Sequence, residues 1–173
     1  MSQPEAWLRG PVPGIPALLQ PVAHGLLQCR EQLTERISGL TADQIWARPL
    51  GAAPVGFHAR HAAGSLDRLF TYARGESLSS TQLAALEVEE DPDFSPDIAR
   101  RLVAVFDDGV ERAFQQLRTT SEATLLEPRR VGRLQLPSTV IGLLFHAAEH
   151  TQRHIGQLVT TAKALAAVTP PVE

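Results

Sequence analysis

The sequence predicts an all-α protein, a four-helix bundle, and three observations carry that expectation. Apolar residues recur at three- and four-residue steps in four separate stretches, and proline, glycine and polar runs punctuate the gaps. No stretch alternates with the two-residue rhythm of a half-buried strand, so no strand is expected. With 173 residues the chain suits one domain with a sizeable core, read as a single unit over 1–173 with its core at about 12–166.

The lead-in Val12-Pro13-Gly14-Ile15-Pro16 reads as a loop. Ile15, Leu19, Val22, Leu26, Cys29, Leu33, Ile37 and Leu40 then form one apolar stripe, which places a first helix at about 16–39, with Pro21 kinking or delaying its first turns. Trp46 to Pro54 has two prolines, a glycine and no period, and reads as a loop. Trp7 and Trp46, both assigned to loops, are expected to pack against the bundle.

From Val55 the helical period returns through Phe57, His61, Leu66, Leu69, Phe70 and Tyr72, and Gly75 supplies the stop, giving a second helix at roughly 55–74. Residues 76–96 are polar, with a short helical turn around Thr81 to Val88, and Glu89-Glu90-Asp91 reads as a solvated acidic loop. Ser95-Pro96-Asp97 has the hydroxyl, proline and carboxylate of a helix start, and Ile98, Leu102, Val105, Phe106, Val110, Ala113, Phe114 and Leu117 carry a third helix to about residue 118. A connection over Thr119 to Leu136 holds Arg129, Arg130 and Arg133, read as a solvated loop rather than an anion clamp. Pro137-Ser138-Thr139 opens the fourth helix, which runs to about Ala166 before a frayed Thr169-Pro170-Pro171 tail.

Charge and composition exclude several functions. A net charge of -3 lacks the basic surplus of a phosphate-gripping protein, so no nucleic-acid partner is expected. No apolar run reaches the ~18 residues of a membrane span, and the N-terminus lacks the basic flank and apolar block of a signal peptide. A cytoplasmic protein without membrane contact is the expectation. The one cysteine, Cys29, rules out an intrachain disulfide, and its place between Leu26 and Leu33 marks it as packing rather than a nucleophile.

Histidine is distributed unevenly. Five of the six lie on two expected helices, His58 and His61 on the second and His146, His150 and His154 on the fourth. Residues four apart stack on one helix face, so two such imidazoles can converge on an ion at about 2.0–2.1 Å. Three cannot, because His146 and His154 are separated by roughly 12 Å of rise. The fourth helix therefore offers one adjacent pair, and the second helix donates the third ligand. Three histidines would leave a coordination position open for water or substrate, as catalytic zinc sites do. On the second helix Ser65, Arg68 and Tyr72 share the His61 face and are candidates to orient a substrate or support the site. Glu149, about 100° from His150, is a candidate to hold a ring nitrogen. His24 falls off its helix's apolar stripe and reads as a surface or dimer contact. His146-Ala147-Ala148-Glu149-His150 also spells the inverted zinc-protease motif, but that motif takes a downstream carboxylate ligand and only Glu173 remains.

Two segments resemble the DinB/YfiT-like superfamily: Phe57-His58-Ala59-Arg60-His61-Ala62-Ala63-Gly64-Ser65-Leu66-Asp67-Arg68-Leu69, and His146-Ala147-Ala148-Glu149-His150-Thr151-Gln152-Arg153-His154-Ile155-Gly156-Gln157-Leu158. The ending His-x-x-x-His-x-Gly-Gln is the more specific, and the resemblance spans about 12–166. It implies an up-down-down-up four-helix bundle, often a homodimer, with zinc, nickel or a similar ion bound by His61, His150 and His154. Apolar residues left over on the first and third helices agree with a second copy as partner. Relatives include bacillithiol S-transferases and a mycothiol-dependent maleylpyruvate isomerase. The implied function is thus a metal-dependent enzyme acting on a small molecule, by transfer of a low-molecular-weight thiol or by metal-assisted hydrolysis. The alternative is a non-enzymatic protein, its structure or dimer stapled by a histidine-bound ion. This sequence departs from the pattern by carrying His58 and His146 as additional or alternative ligands.

Overall fold

The computed structural model describes residues 3–168. It is mostly helical, with six α-helices among the described residues: α1 Gln20–Ile37, α2 Ala42–Trp46, α3 Val55–Ala73, α4 Ser80–Glu87, α5 Ile98–Thr119 and α6 Val140–Val168. The four long ones are those the sequence predicts. The frayed Thr169-Pro170-Pro171 tail and the zinc-protease candidate Glu173 lie outside the described residues.

Pro21 sits in the first turn of α1, where a missing N–H leaves no hydrogen bond unmade, so it does not kink the helix. The stripe of α1 buries Val22, Leu26, Cys29, Leu33 and Ile37. Helix α6 packs on α3 and α1, and α5 packs on the same two helices. Between them lie Leu26 and Leu33 of α1, Leu66 of α3, Phe106 and Leu117 of α5, and Leu144, Ile155 and Leu158 of α6, all under 2 % exposed. Gly75, at φ 79°, ends α3 as expected. No helix among the described residues is long and apolar enough to cross a membrane.

Several local expectations need correction. Residues read as strandless form an antiparallel hairpin, β1 Pro128–Val131 with β2 Leu136–Thr139, pairing Arg129 with Ser138 and Arg130 with Pro137. A two-stranded ribbon has only edge strands, so Pro128 and Pro137 cost it no central ladder bond. Helix α6 consequently opens at Val140, not in Pro137-Ser138-Thr139, although the Thr139 hydroxyl still caps it by accepting the Gly142 N–H at 3.1 Å. Trp46 belongs to a short helix rather than a loop, because Thr41 and Gln44 form a reciprocal capping box ahead of it. It is buried, whereas Trp7 is 62 % exposed and does not pack into the core. The Ser95 hydroxyl donates to Asp93 at 2.6 Å instead of capping α5, whose N-cap is Asp97.

Helix α4 buries nothing of its own. A capping box of Ser79 and Gln82 starts it, and the Gln82 amide ties it to α3 through Asp67 at 2.6 Å and Thr71 at 2.8 Å. Its position matters because the chain leaves it directly into the turn that carries Glu89.

Candidate metal centre

Helices α3 and α6 pack against each other, and each buries small residues, Ala59 and Ala62 on one and Ala147 and Ala148 on the other. Short side chains let two helices approach closely. The imidazoles of His61, His150 and His154 project into the seam, and one nitrogen from each lies within 4.8 Å of the others. Nε2 of His61 is 3.0 Å from Nε2 of His150, and the rings of His61 and His154 are 4.3 Å apart.

Each ring has a different support. Nδ1 of His61 is 2.6 Å from a Glu89 carboxylate oxygen. Nδ1 of His154 is 3.2 Å from Nδ1 of His58. Nδ1 of His150 is buried without a hydrogen-bond partner. His58 is buried beside His154, while His146 is exposed and lies 3.3 Å from Glu149. Neither joins the group whose nitrogens converge. Glu149 is engaged by Arg153 and His146, so the inverted-protease arrangement does not gather here. Ser65 donates to the Ala62 carbonyl of its own helix. Tyr72 lines a separate cavity of about 510 Å³ with Arg129, Arg130 and Arg133. Arg68 reaches the site indirectly, through Glu89 at 2.7 Å. His24 is half-buried and bonds the Gly10 carbonyl at 2.9 Å.

Glu89 is the site residue that sequence reasoning missed. The run read as a solvated acidic loop buries its first carboxylate to 5 % exposure while Glu90 stays in solvent. Burial alone would raise the pKa of that carboxyl, but hydrogen bonds and charge from His61 and Arg68 outweigh it and hold the group below the usual carboxylate range. Two arginines and a histidine on one stretch of α3 were the available signal.

Burial, helped by neighbouring imidazoles, favours the neutral forms of His58, His150 and His154. Burial, and then the neighbouring His61 and His150, push the His154 pKa down to about 4. Burial followed by His61, His146 and Arg153 lowers His150, and burial followed by His61 lowers His58. A cluster of imidazoles that resist protonation presents lone pairs at neutral pH. The Nε2 atoms of His61 and His150 face each other at 3.0 Å, with a nitrogen of His154 in the same group, and such a set can close on a cation. The donor set therefore fits a divalent ion of the zinc type.

A family model described as the DinB superfamily matches residues 26–158. Among solved structures, the conserved protein of locus from Enterococcus faecalis aligns with a TM-score of 0.66 at 18 % identity, covering 87 % of this chain and 98 % of that one. That likeness concerns the fold. Comparison with curated proteins finds no match.

Proposed function

The chain belongs to the DinB superfamily, and we propose that it is a metal-dependent enzyme acting on a small molecule. The observation that carries the reading is the convergence of three imidazole nitrogens from α3 and α6, with no fourth ligand in that group among the described residues. A structural staple needs a closed shell of four ligands. Since His58 and His146 stand outside the converging group, the set supports an open position and hence chemistry.

His61, His150 and His154 would hold the ion, with zinc or nickel the metals that imidazole ligands suit. Neutral ligands leave the charge of a bound ion undiminished, which lowers the pKa of a thiol or water beside it. The one cysteine is no rival nucleophile, because Cys29 is buried on α1 and its thiol is pushed up to about 12. The reading therefore takes the attacking group from outside. Transfer of a low-molecular-weight thiol to an electrophile is the leading reaction, and hydrolysis is the second. We also read the four long helices as an up-down-down-up four-helix bundle; the closed ring of contacts from α1 to α6, α3, α5 and back to α1 supports it.

The test compares metal-free with zinc- or nickel-loaded protein, using several small thiols against one electrophile and water against an activated ester. Loaded protein should outpace the metal-free form, and His154→Ala should erase the difference. Equal rates under every condition would instead leave a non-enzymatic metal-binding protein.

A further inference from the structure

Glu89 lies on no helix, yet four features of α3 are shaped around it. Arg60 donates through one nitrogen to the Val88 carbonyl at 3.0 Å and the Asp91 carbonyl at 2.5 Å, gripping the backbone on either side. The Arg60 guanidinium in turn lies over the Trp46 ring at 4.7 Å. Arg68, only 10 % exposed, binds one carboxylate oxygen at 2.7 Å, and His61 binds the other at 2.6 Å. Gly64 makes the room: a Cβ there would lie 2.6 Å from both the Arg68 nitrogen and the Glu89 oxygen.

We propose that Glu89 is the positioning residue of the histidine cluster, fixing His61 as the tautomer whose Nε2 lone pair faces His150 and His154. An ionised carboxylate only accepts hydrogen bonds, so the proton between Glu89 and His61 belongs to Nδ1. In a neutral ring Nε2 is then bare, and it is this atom that lies 3.0 Å from Nε2 of His150. The proton between those two nitrogens belongs to His150 in the metal-free protein. His150 has no partner for its other nitrogen, so its proton is free to change sides when a cation arrives. One rigid and one adjustable ligand follow from a single buried carboxylate. As a ligand arrangement this rests on the metal reading; as a tautomer it does not.

Glu89→Gln separates the role from simple packing. The variant is isosteric, and Arg68, which can only donate, takes the amide oxygen. The amide NH2 then faces His61 Nδ1 and forces the proton to Nε2. Nitrogen NMR of the metal-free proteins reads the tautomer directly: Nδ1–H is expected in the unmodified chain and Nε2–H in the variant. Zinc affinity measured against a competing chelator should fall about 10–100-fold in the variant. Nε2–H in the unmodified chain, or the same tautomer in both proteins, overturns the proposal, and the first of these needs no variant to fold. If the unmodified chain shows the expected tautomer and its switch but takes up no zinc, the positioning role stands and the metal reading fails. If zinc binds equally to both, the positioning role fails and the metal reading stands.

Discussion

Two helical glycines should respond to alanine with opposite signs. On α3 a Cβ at Gly56 would lie 2.8 Å from one Trp46 ring carbon and 2.9 Å from the Ile45 methyl. Neither neighbour can retreat: Ile45 is fully buried, and Trp46 is tethered through its indole N–H to the Asp93 carbonyl at 2.8 Å. Overpacking of this kind costs about 1–3 kcal/mol, against about 0.5–1 kcal/mol recovered because alanine has less backbone entropy to lose. Gly56→Ala should therefore lose about 1–2 kcal/mol net. At Gly156 on α6 a Cβ meets nothing within 4 Å, so Gly156→Ala should gain about 0.5–1 kcal/mol. The two variants should separate by about 2 kcal/mol, or roughly 4–8 °C in Tm for a chain of this size. Circular dichroism melts with chelator present, to remove any linkage to bound metal, measure it. A Gly56→Ala protein as stable as the unmodified chain would refute the close seating of α2 on α3.

Cys29 should resist a thiol-specific reagent at about pH 8 in the folded protein and react on addition of denaturant. The sign follows from its raised pKa of about 12, since the reactive thiolate is disfavoured at every pH below that value; rapid native-state labelling would contradict it. His146→Ala should leave zinc affinity unchanged, because that ring points to Glu149 and solvent. By contrast, His58→Ala should weaken zinc binding about 10-fold, by removing the group that faces Nδ1 of His154. A chelator competition measures both, and the reverse order would place the wrong histidines in the seam.

The long helices were legible because their cores are periodic: the α1 stripe from Val22 to Ile37 is buried residue for residue. The convergence of His61, His150 and His154 followed from helical geometry together with the family resemblance. Glu89 was not legible, because whether a carboxylate is buried depends on partners brought in by tertiary structure, here Arg60 and Arg68 from an earlier helix. The hairpin was hidden for a related reason. Arg129 in β1 is held by the Ala73 carbonyl at the end of α3, at 2.8 Å, a contact with no trace in the local pattern. Helix α2 was different, since its Thr41-x-x-Gln44 capping signature lies in plain sequence.

Equilibrium zinc uptake by chelator-stripped protein decides between a built metal centre and a chance gathering of histidines. One ion per chain is expected for the unmodified protein, with binding lost in each of His61→Ala, His150→Ala and His154→Ala while their helical spectra stay intact. An unmodified chain that takes up no ion, or three variants that all keep it, would contradict the metal centre outright.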